Sequence, residues 1–197
     1  MIHTSLPLIL ASRSPRRAQL FKQIGLTFTQ QESSVEEILD ASKSPEENVQ
    51  SLSLLKAIDV AEHFSHGIVV GSDTIVVVNG KILGKPSSEE EAFTMLRTLS
   101  SRTHTVFTGF ALVDVQSKKN YVDFEKTDVT FRELDAEEIR NYIASGSPMD
   151  KAGAYGIQDD YGAVFVEKIN GCYYTVVGFP LAKFYIALQK FIMQLSF

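Results

Sequence analysis

Strand-like and helix-like segments alternate through the first hundred residues of this chain, and β-hairpin signals follow. That order favours a mixed β-sheet flanked by helices, of the α/β or α+β class, and disfavours a doubly wound nucleotide fold. The apolar run Leu6–Ala11 reads as a buried strand. Ser14 and Pro15 then open a helix with Leu20, Phe21 and Ile24 on its apolar face, and Gly25 stops it. After a loop through SSVEEILDASKS, Ser44-Pro45-Glu46-Glu47 forms a capping box, and its helix runs to about Phe64. GIVVGSDTIVVVNGKILGKP holds apolar β runs, with a small-residue break at GSDT and a type I′ hairpin turn at Asn79-Gly80. Ser88 and Glu91 open a further helix that turns Phe93, Leu96 and Leu99 inward. THTVFTGFALVDV and YVDFEKTDVTFREL pair around the turn QSKKN, and Asp135 caps a short helix ending near Gly146. Asn170-Gly171 predicts another hairpin, and a helix from Pro180 to about Ile192 buries Leu181, Phe184, Leu188 and Phe191.

The 197 residues contain no internal repeat and no linker, so one domain spanning 1–197 is expected. A net charge of −5 provides no global field for nucleic acid or an anionic membrane, so any anion site must be local. The single cysteine, Cys172, rules out an intramolecular disulfide and argues against a cysteine-based zinc site. It suits a reducing cytosol, and no apolar stretch reaches membrane-spanning length. A cytoplasmic protein is the reading.

Arg16 and Arg17 sit side by side at the start of the first helix, where unpaired N–H groups and the helix dipole already make the backbone positive. Two cations there oppose the dipole unless an anion arrives. Guanidinium forks suit phosphate oxygens, and Ser12 and Ser14 add hydroxyls. Spacing weighs equally a bland reading, in which both arginines face solvent or pair with Glu36, Glu37 or Asp40. A minor-groove arm is disfavoured, because SPRR lies between a buried strand and a helix in an acidic chain. Asp73, in VVGSDTIVV, either holds Mg²⁺ or orients a water, or else caps a turn with Thr74. Lys85, after Gly84, meets a phosphate as a point charge or is a solvated turn lysine. Lys56, inside an apolar helical pattern, snorkels to the surface or reaches into a cleft. In MDKAGAYGIQDDYGAVFV, small residues allow close approach of a ligand and Gln158 offers an amide to a base edge. The plainer reading is an ordinary glycine-rich connection. His3, His63, His66 and His104 show no metal-ligand spacing and read as surface or satisfied histidines.

LASRSPRR, GSDTIV, GKP, MDKAGAYGIQ and INGCYYTVVGFP together resemble the Maf family of nucleoside triphosphate pyrophosphatases, in family order and across nearly the whole chain. The resemblance implies a fold like that of the inosine triphosphatases: an elongated mixed sheet flanked by helices, with two lobes and a central cleft. It implies hydrolysis of a nucleoside triphosphate to the monophosphate and pyrophosphate, a house-cleaning activity associated with cell-division arrest. It assigns Asp73 as catalytic base and Arg16, Thr74 and Gln158 to substrate choice. Phosphate contacts fall to Ser12, Ser14, Arg16, Arg17, Lys56 and Lys85. The resemblance also implies a divalent cation, Mg²⁺ or Mn²⁺, held by Glu37 and Asp73. SPRR with SDT and GIQ is similar to the branch acting on dTTP and UTP, without the aromatic and glutamine signals of the 7-methyl-GTP branch. Two departures stand out: Ser72 in place of a frequent Ala, and the acidic Asp159-Asp160 after Gln158. The expected partners are a nucleotide substrate, no nucleic acid and no membrane, and a homodimer is compatible with the reading. The competing view is a nucleotide-sensing regulator of septum formation with little turnover.

Overall fold

The structure, a computed structural model, describes residues 4–158 and 161–195. Among these, seven strands and six α-helices follow in the order β1 (Leu8–Ala11), α1 (Pro15–Gln23), β2 (Thr29–Gln31), α2 (Pro45–Ala61), β3 (Ile68–Val78), β4 (Lys81–Leu83), α3 (Glu89–Leu99), β5 (Thr103–Asp114), β6 (Asn120–Phe131), α4 (Ala136–Ala144), β7 (Val166–Asn170), α5 (Tyr173–Val177) and α6 (Leu181–Leu195). The strands form one mixed sheet in the order β2-β1-β3-β5-β6-β7, with β4 paired to β3. β1 runs parallel to both β2 and β3, whereas β3–β4 and β6–β7 are antiparallel. The expected mixed α/β fold is the one observed.

The chain divides into two compact units. The first holds the described residues up to Asp73, Thr108–Glu125 and those from Gly178 on; the second holds Thr74–Phe107 and Lys126–Val177. In the first unit, Ile9, Val69, Ala57, Val60 and Val113 pack together, and the rings of Phe21, Phe110, Phe179 and Phe184 pack against one another. In the second, Val76, Leu96, Val129 and Ile139 pack with Phe131, Tyr155 and Phe165.

The helix starts follow their caps. Ser14 precedes α1, and its hydroxyl accepts from the Arg17 N–H. Ser44 and Glu47 complete the capping box of α2, and Ser88 and Asp135 cap α3 and α4. Asn79 and Gly80 both adopt positive φ, as a type I′ turn requires.

Three readings need correction. GSDT is not a break: β3 runs unbroken from Ile68 to Val78, with Asp73 in its middle. Gly71 is there for a different reason. A Cβ at that position would collide with the Ser53 carbonyl and stand 2.9 Å from the Ala57 N, so its absence lets α2 lie directly on the strand. Asn170-Gly171 makes no hairpin either, because β7 pairs back to β6 and is followed by α5. Gly171 has positive φ and Asn170 does not, so a type I′ turn is excluded. Thr127 Oγ1 holds the chain here instead, accepting from Cys172 N–H at 2.9 Å and donating to Cys172 O at 3.0 Å. Finally, β2 lay within no expected strand. Its three residues are all exposed, and it is recruited by parallel pairing with β1.

Candidate active site

Strand register assembles the site in the first unit. Ala11, the last residue of β1, lies opposite Gly71 of β3. Two residues beyond Gly71, Asp73 shares its face, which is the face covered by α2. The segment leaving β1 turns directly into the N-terminus of α1, so Ser12–Arg17 start at the strand end nearest Asp73. Gly109 has the same function as Gly71 on the neighbouring strand: a Cβ there would stand 2.5 Å from Val49 O and 2.9 Å from Ser53 Oγ. Two glycines therefore let α2 approach closely enough for Lys56, one residue before Ala57, to reach Asp73.

Lys56 Nζ donates to Asp73 Oδ1 at 2.6 Å and to Glu37 Oε1 at 2.7 Å. Lys56 and Asp73 are each only 6% exposed, whereas the Glu37 side chain is 41% exposed. Of the two alternatives for Lys56, the helical lysine reaches inward. Burial pushes the Asp73 carboxyl above its ordinary pKa; Lys56 and Arg17 pull it down, and Glu37 adds to the rise. A carboxyl raised in this way is a better proton acceptor near neutral pH than an exposed aspartate.

Arg17 is built into the same corner. Its Nε donates to Gly178 O at 2.9 Å and its Nη1 to Ser12 Oγ at 3.3 Å. Burial lowers the Arg17 pKa, with Asp73 and then Glu37 opposing that shift. Ser12 Oγ also accepts from the Ser14 N–H at 3.1 Å, so the SRSP turn is held in shape by its own hydroxyls. Arg16, half-buried, is the neighbouring residue of the same first turn. Ser72, fully buried, donates to Gly109 O at 2.8 Å, which gives the extra hydroxyl a partner on β5.

Glu37 lies in a segment, 32–40, without regular secondary structure. That segment is tied to α2 by Asp59, which accepts from Ser33 and Ser34, and by Asn48, which binds the backbone of Asp40. Neither Asn48 nor Asp59 was picked out from the sequence. The available signal was their helical spacing with Lys56, which puts three polar residues in one arc of about 80° at 100° per residue.

Thr74, Lys85 and Gln158 belong to the second unit. Thr74 continues β3 directly after Asp73, and Lys85 is exposed after β4. Gln158 Nε2 is buried and has no hydrogen-bond partner among the described residues. Asp159 and Asp160, the acidic departure after Gln158, lie outside the described residues, as does His3. His63 and His66 are exposed. His104 is 2% exposed; its Nε2 pairs with Tyr155 OH at 2.8 Å, whereas Nδ1 has no partner among the described residues. The satisfied-histidine reading thus holds for one nitrogen only.

Among the described residues, no cluster of three or more His, Cys, Asp or Glu side chains forms a metal cage, and no helix is long and apolar enough to cross a membrane. A family profile described as "Maf-like protein" matches residues 7–191. The chain belongs to the Maf family. Two curated relatives, each named dTTP/UTP pyrophosphatase, show how near the likeness is. The protein from Caldicellulosiruptor saccharolyticus is 47% identical over 186 residues, covering 92% of this chain and 93% of its own. That from Pelotomaculum thermopropionicum is 48% identical over 184 residues, covering 93% and 96%. Among solved structures, a nucleoside-triphosphatase / dITP/XTP pyrophosphatase from Mycobacterium abscessus matches with a TM-score of 0.43 at 16% identity, covering 64% of this chain and 74% of that one.

Proposed function

We infer that this Maf-family chain hydrolyses dTTP and UTP to the nucleoside monophosphate and pyrophosphate. The observation that carries the reading is the buried Lys56–Asp73 pair, extended by Glu37, in a chain nearly half identical to dTTP/UTP pyrophosphatases. Arg16, Arg17, Lys56 and Lys85 neutralise the phosphate chain, and Ser12 and Ser14 add hydrogen bonds to it. Asp73 accepts a proton from water as the water oxygen attacks the α-phosphorus. The bond from that phosphorus to the bridging oxygen breaks, and pyrophosphate leaves with the electron pair. Lys56 holds the carboxylate in place through its 2.6 Å contact and offsets its charge before the proton arrives.

Asp73 and Glu37 converge on one ammonium and offer hard carboxylate oxygens. That donor set fits a cation of the Mg²⁺ class, which takes one or two protein carboxylates and completes its shell with phosphate and water. A bound Mg²⁺ or Mn²⁺ would offset the charge of the phosphate chain and of the leaving pyrophosphate. For substrate choice, Arg16, Thr74 and Gln158 carry the specificity. The buried amide N–H of Gln158, without a partner among the described residues, suits a pyrimidine carbonyl. A cytosolic location fits the lone Cys172.

The test is a panel of nucleoside triphosphates with Mg²⁺ and with Mn²⁺, with every product identified. Pyrophosphate and monophosphate, formed fastest from dTTP and UTP, are expected. Orthophosphate as the first product would contradict the reaction, and tight binding without turnover would favour the sensor.

A further inference from the structure

We propose that Asn48 and Asp59 are positioning residues that clamp the segment bearing Glu37 onto α2, holding its carboxylate against Lys56; the inference rests on the role given to Glu37 above. The segment 32–40 has no regular secondary structure, and the Glu37 side chain is 41% exposed. An ion pair with one partner so exposed is too weak to order nine irregular residues alone. The clamps are of the stronger kind. Asp59 Oδ2 accepts from Ser33 Oγ and from the Ser34 N–H, both at 2.8 Å, and Asp59 Oδ1 accepts from Ser34 Oγ at 2.9 Å. Those donors hold the Asp59 carboxyl below the usual carboxylate range, so the bonds are charge-assisted. At the other end, Asn48 Oδ1 accepts from the Asp40 N–H at 2.8 Å. Asn48 Nδ2 lies within hydrogen-bond distance of the carbonyls of Asp40, Lys43 and Ser44.

Ser34 and Asp40 each stand three residues from Glu37, so the two clamps bracket it evenly. Both clamps and Lys56 project from one arc of one helix. The distance from carboxylate to ammonium is therefore set within a single rigid element, where a carboxylate on a free loop would sample many positions. Groups that orient a ligand from behind typically change affinity or activity 10–100-fold when removed.

The experiment combines kinetics with amide exchange by NMR in the protein free of nucleotide and metal. The variants are Asp59→Ala, Asp59→Asn, Ser34→Ala, Glu37→Gln and the double variant Asp59→Ala/Glu37→Gln. Asp59→Ala is expected to lower kcat/KM about 10-fold and to have no further effect once Glu37 is Gln. The Ser34 amide is expected to exchange at least about 10-fold faster in Asp59→Ala than in the native protein. Asp59→Asn, which keeps one acceptor oxygen, should fall between, and Ser34→Ala should shift activity in the same direction with the helix untouched. Equal loss of activity in both Glu37 backgrounds would overturn the proposal, as would an unchanged Ser34 exchange rate in Asp59→Ala. Native activity in Glu37→Gln with fast Ser34 exchange in Asp59→Ala would instead leave the clamp standing and remove Glu37 from the reaction.

Discussion

Lys56 Nζ lies 2.6 Å from Asp73 Oδ1, and both side chains are only 8% exposed. Removing one partner from a buried pair leaves the other charge uncompensated, which typically costs about 3–5 kcal/mol. Lys56→Met should therefore lose about 3 kcal/mol or more in urea unfolding. Most of that loss should return in Lys56→Met/Asp73→Asn, because the buried negative charge is then gone. Strictly additive losses in the double variant would show that the ion pair is not the interaction being measured.

The close seat of α2 on the sheet gives a second prediction. Gly71→Ala drives a methyl group into the Ser53 carbonyl, a backbone atom that cannot swing away. A loss of about 3 kcal/mol or more, the top of the overpacking range, is expected, along with a large fall in activity as Lys56 is displaced. Gly84→Ala is the control. Nothing lies within 4 Å of its Cβ position, and a change within about 0.5 kcal/mol is expected by thermal or urea unfolding.

The second unit carries a pH dependence of its own. Burial lowers the His104 pKa to about 4, with Asp128 opposing the shift. Phe131 and Tyr155 pack edge-on against the imidazole. The folded protein thus binds this proton less readily than the unfolded chain, whose histidine titrates near 6.5. Stability falls as the pH drops from about 6.5 to about 4, by about 3 kcal/mol from this group, and is flat above that window. Urea unfolding at pH 7 and pH 4 measures the difference, and His104→Gln should remove that portion of the slope. An unchanged slope in the variant would remove His104 as its source.

The elements legible in the sequence were those fixed by local chemistry. Ser14, Ser44, Ser88 and Asp135 announce helix starts because a side-chain oxygen satisfies a first-turn N–H within a few residues. Asn79-Gly80 announces its turn because both residues tolerate positive φ. Elements decided by distant partners were not legible. β2 has no apolar pattern and exists because β1 offers an edge. Asn170-Gly171 reads as a hairpin until Thr127, far away in sequence, captures the backbone of Cys172. Gly71 reads as a chain break, although its smallness serves helix packing. The site divides in the same way. Residue types identified Asp73 and Lys56 as candidates, but only the packing of α2 on β3 turned an ambiguous lysine into a buried partner. Helical spacing puts Asn48 and Asp59 on the same arc as Lys56, but their clamping role depends on a loop folding back onto that arc, which the sequence does not announce.

The central claim is that one buried carboxylate takes the proton from the attacking water, and Asp73→Asn tests it most directly. The substitution keeps shape and hydrogen-bonding capacity while removing the base. Nucleotide affinity and turnover should be measured on the same folded variant, with dTTP and UTP. The account predicts near-native nucleotide binding with turnover at least ~100-fold lower. Turnover close to native in Asp73→Asn would contradict it.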